Sequence, residues 1–85
     1  VYDRILDLAP SDTAALAGFN EAILAEAIRA GLPIIDLRIV CNHAADYSSV
    51  SPIEPSVVGG SKITRVIAEL VTTHDFGCGR SVVYT

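Results

Sequence analysis

The chain has 85 residues, 51% of them hydrophobic, and a formal net charge of −4 at pH 7. Its six Lys and Arg are scattered singly among ten Asp and Glu. No basic patch exists to displace counterions from a phosphate backbone or to meet an anionic lipid surface, and no apolar run nears the roughly 18 residues of a membrane span, so neither nucleic acid nor membrane is expected as a partner.

A chain this short buries only about 60–65% of its unfolded surface, so its hydrophobic content is rich for its size. It starts at Val1 and contains no methionine. Residues 1–85 are therefore expected to be a single small domain or, as the first reading, a C-terminal fragment whose apolar faces are completed by chain preceding residue 1. The N-terminus lacks the basic-then-apolar order of a signal peptide.

In chain order, "VYDRILDL" (1–8) has the composition of a strand end but is too short to assign. "APSD" (9–12) signals a helix start, with Pro10 followed by Ser11 or Asp12 as caps. From there to Ala30 the chain is alanine-rich, with Leu16, Phe19, Ile23 and Ala27 spaced along one face. This predicts a helix over 12–30, stopped at Gly31 with Pro33 beyond. "LPIIDLRIV" (32–40) is short, β-branched and almost continuously apolar, as in a strand covered on both faces of a parallel sheet. Residues 41–56 form a polar, proline-bearing loop, long for a connection. A second helix is predicted over 57–73, with Ser56 as N-cap and Ile63, Val66, Ile67, Leu70 and Val71 on its buried side. A glycine-broken turn and a strand-like "SVVYT" close the chain. Helix, buried strand, long loop and helix make an α/β unit, and in such sheets the loop after the strand carries the chemistry.

Several polar groups compete for attention. Cys41-x-His43 and His74-x3-Cys78 have the residue types of a tetrahedral zinc site but loose spacing. A Cys41–Cys78 disulfide is the alternative, and two reduced, unrelated cysteines are the simplest reading; no metal or cofactor is expected. "GGSK" (59–62) lacks the spacing of a phosphate loop, so Gly59 and Gly60 are read as permitting close packing of the first helical turn. Asp36, inside an apolar run, must be paired or hydrogen-bonded and is read as pinning a neighbouring loop. Asn20 is read as meeting a loop or solvent.

Glu54, before Pro55 and Ser56 at a helix entrance, is the most pointed case. "SPIEPSVVG" resembles the last block of the SGNH (GDSL-type) hydrolase superfamily, Asp-x-x-His-Pro-Ser-x-x-Gly, matching it at Pro55, Ser56 and Gly59. Upstream, "LAGFNEAILAEAIRAGLPIIDLR" is similar to the family's penultimate helix and following strand, with Asn20 and Asp36 at positions the family often fills so. The likeness covers roughly Ala14 to Leu70. It implies the C-terminal part of a three-layer α/β/α sandwich with a parallel, flavodoxin-like sheet. It also implies an esterase-type activity on small-molecule or acetylated carbohydrate esters. Ser51 and Glu54 stand where the family has its catalytic Asp and His, and His43 lies in the same loop as a further candidate. The family's nucleophile and oxyanion-hole blocks have no counterpart here. A serine nucleophile needs a base that works near neutral pH: histidine, ordinarily near 6.5, does so, whereas a glutamate near 4.3 would need a raised pKa. Ser51 cannot supply the negative charge that orients a triad histidine. A non-catalytic homologue used for binding or assembly is the alternative. Without catalysis, Glu54 would still gain about 0.3–1 kcal/mol beside a helix N-terminus.

Overall fold

The computed structural model describes residues 10–50 and 54–85. The opening stretch 1–8 and Ser51 lie outside them.

Helix α1 runs Pro10–Ala30, two residues earlier than the caps suggest. Proline suits a first helical position, where its missing N–H has no partner to lose. Ser11 and Asp12 thus lie in the first turn rather than ahead of it. The helix stops at Gly31, whose φ is 66°. The Gly31 N–H returns to the Ile28 carbonyl at 3.1 Å and the Leu32 N–H to Ala27 at 2.9 Å, a left-handed stop that glycine adopts without strain.

Strand β1 (Ile34–Ile35) pairs in parallel with β2 (Val83–Tyr84), Ile34 opposite Val83 and Ile35 opposite Tyr84. Between them come helix α2 (Leu37–Val40), a 3₁₀ turn (Ala44–Asp46) and helix α3 (Val57–Thr73). The strand predicted over 32–40 is therefore only two residues long. The cause is Asp36: its Oδ1 accepts the Arg38 N–H at 3.0 Å, and its carboxylate takes the Arg38 guanidinium at 3.0 and 2.9 Å. A side chain that caps the backbone two residues on offers an alternative to a strand ladder, and the β-branched run turns helical after it. Asp36 pins its own chain, not a neighbouring loop.

The three-layer α/β/α sandwich with a parallel, flavodoxin-like sheet is overturned by this arrangement. The described residues are 62% helix and 8% strand, with one two-stranded sheet. A sandwich needs a sheet broad enough to carry helices on both faces, and two strands of this length do not make one.

The core is Val40, Cys41 and Val66, with Ile35, Leu37, Tyr47, Ile63 and Tyr84 packed around them. The buried stripe of α3 is narrower than its spacing suggests: Val66 is enclosed, while Ile67 is 47% and Val71 65% exposed. On α1 the expected apolar face is largely bare, with Phe19 67% and Ile23 53% exposed. The residue α1 buries instead is Asn20, at 4%, so it does not face solvent. The end of α1 is tied to the tail by the Ser81 hydroxyl donating to the Ala27 carbonyl at 3.1 Å.

The result is a slab of 41 × 28 × 13 Å with a radius of gyration of 14.0 Å, where a compact chain of this length has about 12 Å. Its accessible surface is 5656 Å², against roughly 4,900 Å² for a compact monomer of this mass. The shortest dimension is 13 Å, and among the described residues nothing covers Phe19, Ile23 and Val71 on the outer flanks of α1 and α3. Beside Leu32 an open groove of about 500 Å³ is lined by Ala22, Ile23, Glu26, Ala27 and Ala30. Apolar area of this extent drives self-association or dye uptake. The 85-residue chain is expected to bind 8-anilinonaphthalenesulfonate and to elute above its monomer mass in gel filtration. A monomer that unfolds cooperatively and leaves the dye dark would contradict the exposed faces.

Candidate functional site

Residues 41–50 and 54–56 lie against the start of α3, and their fastenings centre on Asp46. The carboxylate is 1% exposed. Its Oδ2 accepts the His43 N–H at 3.0 Å, and its Oδ1 lies 2.7 Å from the Lys62 ammonium. Its backbone carbonyl accepts the Ser56 N–H at 2.8 Å. Ser56 caps α3 as its position ahead of the apolar run suggests: its Oγ accepts the Gly59 N–H at 3.1 Å and donates to the Ala45 carbonyl at 2.5 Å. Gly59 lies so close to Asp46 that a Cβ there would stand 2.0 Å from the Asp46 carbonyl oxygen. Gly60, read with it as a packing glycine, has open space around its Cβ position. Farther along the loop, Tyr47 and Pro55 form an antiparallel bridge, and the Ser48 N–H donates to the Glu54 carbonyl at 2.8 Å. The loop is thus a narrow loop-back whose two arms meet at the mouth of α3.

Electrostatics follow from this packing. The Lys62 ammonium, helped by the His43 N–H, holds the Asp46 carboxyl below its ordinary value against the opposing effect of burial. A carboxyl depressed in the folded state contributes stability above its unfolded pKa of about 3.9 and loses it as pH falls through the lower, folded value. The Asp46 joint is therefore intact at neutral pH and fails only in acid. Asp36 behaves likewise, through Arg38. Cys41 is fully enclosed. Burial pushes its thiol up and the Asp46 charge adds to this, with Lys62 opposing. A buried neutral thiol is neither nucleophile nor ligand.

Of the candidate residues, Glu54 is exposed at the mouth of α3, and its carboxylate has no hydrogen bond or ion pair among the described residues. His43 is exposed too, and the loop is fastened through its backbone, not by any bond to Glu54. Ser51 lies outside the described residues. His74 caps the far end of α3, where its Nδ1 meets the Tyr84 hydroxyl at 3.0 Å and its ring stands edge-on to Phe76. The 17 residues of α3 separate it from Glu54 by about 25 Å, so it cannot serve there. Cys41 is buried and Cys78 exposed, both as free thiols. Among the described residues no three His, Cys, Asp or Glu side chains gather as metal ligands, and no helix is long and apolar enough to cross a membrane.

The Asp46–Lys62 pair is the part of the site that sequence reading missed. The available signal was an acidic residue three positions after His43, in register to return its carboxylate to that backbone N–H as a capping-box residue does. Comparison with family models, with curated proteins and with solved structures finds no match.

Proposed function

We propose that this chain serves an ester hydrolase of the SGNH type, as part of the C-terminal segment of its domain, with residues 41–50, residues 54–56 and the mouth of α3 forming one wall of the substrate site. The observation that carries the reading is the joint at Pro55, Ser56 and Gly59. The three residues shared with the family block act on the loop in different ways. Pro55 sits in the bridge with Tyr47, Ser56 caps α3, and Gly59 admits the Asp46 carbonyl. Together they leave the preceding side chain, Glu54, exposed at the helix entrance, where a reacting group would face substrate. The substrate class is small esters or acetylated sugars.

A second reading is favoured by one observation: Glu54 has no base or orienting partner among the described residues. In that reading the scaffold binds without turnover, because a proton must be taken near neutral pH and nothing beside Glu54 does so.

The test is hydrolysis of short-chain aryl esters and acetylated sugars by the protein that carries this chain. Glu54→Gln is expected to be silent, and Glu54→His to create or raise turnover by about 10²-fold, the ordinary contribution of a positioned base. Loss of turnover in Glu54→Gln at unchanged stability would make Glu54 itself the reacting group. No turnover in any form would leave the binding reading.

A further inference from the structure

We infer that the Asp46–Lys62 ion pair is a positioning device: Lys62 anchors the 42–50 arm of the loop to α3 and thereby fixes where Glu54 stands. Its relevance to turnover rests on the proposed hydrolase reading; the anchoring itself does not.

The two oxygens of Asp46 are satisfied unequally. Oδ2 has the His43 N–H, whereas Oδ1, fully shielded from water, has no well-aligned hydrogen bond and meets the Lys62 ammonium at 2.7 Å. The groups facing this carboxylate are Lys62 from α3, His43 from its own turn and the neutral Cys41 thiol at the end of α2. Among the described residues Lys62 is the cation in salt-bridge contact with this buried negative charge. Removing one member of a buried pair leaves the other uncompensated, which costs far more than losing a surface pair. Lys62 keeps 29% of its side chain exposed, against 1% for Asp46.

The consequence is transmitted by bonds already described. With Lys62 replaced by an uncharged residue, Asp46 reaches water only if its turn lifts from α3. That movement breaks the Ser56 N–H bond to the Asp46 carbonyl and strains the Ser48–Glu54 bond beyond it. Helix α3 has contacts besides the turn, because Val66 and Ile63 pack against Val40 and Cys41, a core to which the 42–50 arm adds only Tyr47. The loop is thus a unit that opens before the helix does.

Hydrogen exchange read by mass spectrometry tests this on the whole protein. In Lys62→Met, peptides covering 42–50 and 54–60 are expected to exchange about tenfold faster, with residues 63–71 unchanged. Lys62→Arg should restore the native rate. The double variant Asp46→Asn, Lys62→Met should be slower than Lys62→Met alone, because no bare charge remains buried. If circular dichroism shows Lys62→Met to be unfolded, the double variant decides: a protected loop supports the inference, and a loop exchanging like free peptide overturns it. Native exchange in a folded Lys62→Met also overturns it. On aryl esters, Lys62→Met placed in the Glu54→His background should lower kcat and leave KM nearly unchanged, with recovery when Lys62→Arg replaces it. A protein without turnover in both the native and the Glu54→His background would remove the hydrolase reading and leave the exchange result standing by itself.

Discussion

Gly59→Ala is expected to destabilise the protein by about 3 kcal/mol, near the top of the range for overpacking a close contact. The added methyl would stand 2.0 Å from the Asp46 carbonyl oxygen and 2.9 Å from its carbon. Those are backbone atoms, so no rotamer change relieves the clash. The turn must move off the helix, taking with it the Ser56 N–H bond and the Lys62 contact. Gly60→Ala is the control. Its Cβ meets nothing within 4 Å, and replacing glycine by alanine within a helix gains about 0.5–1 kcal/mol. Denaturation midpoints of the two variants should therefore move in opposite directions. Equal, mild effects would mean that the loop does not rest on α3 as described.

Gly31→Ala should cost about 2–4 kcal/mol, the sum of two separate penalties. Its φ of 66° is a left-handed conformation that burdens a side-chain-bearing residue by about 1 kcal/mol or more. Its Cβ would also lie 2.2 Å from the Gly79 carbonyl oxygen, forcing the tail away from the end of α1. Gly31→Asn separates the two, because asparagine tolerates the left-handed region but still carries a Cβ. If steric approach dominates, Asn is nearly as damaging as Ala in chemical denaturation. If Asn is benign, the contact with Gly79 contributes little. Gly18→Ala, in the interior of α1 with open space around it, should be mildly stabilising.

The two long helices were legible because their cues are local: proline and a following acidic residue at one start, a serine cap at the other, and a glycine at the first stop. Strand β1 was legible only in part. The apolar run "LPIIDLRIV" has the composition of a strand, but a single aspartate in its middle, able to bond the backbone N–H two residues on, redirects it. Periodicity also misjudged burial. Phe19 and Ile23 share a helical face with Leu16, yet no layer of the described residues covers them. Asn20 shows the converse, a polar residue enclosed at 4% exposure within the same helix. At the candidate site, Ser56 and Gly59 could be read in place, since capping and close approach are properties of one residue. The Asp46–Lys62 pair could not, because its members lie 16 residues apart (62 − 46) and neither belongs to a repeating pattern. Charge pairs of this kind are decided by where two segments meet, and only the folded chain shows that.

The parallel pairing of Ile34 with Val83 also sets an order of events. The partners are 49 residues apart (83 − 34), whereas α1 and α3 are built from neighbours four residues away. Helices form in about a microsecond, and long-range strand pairing must first overcome the entropy of closing the intervening chain. During synthesis at about 5–20 residues per second, β1 leaves the ribosome some 2–10 seconds before its partner exists. For that interval Ile34 and Ile35 have no strand beside them, and the tail that clasps Gly31 is still unmade. The nascent chain is thus most exposed to misassociation at residues 32–40 until residues 83–84 appear beside them.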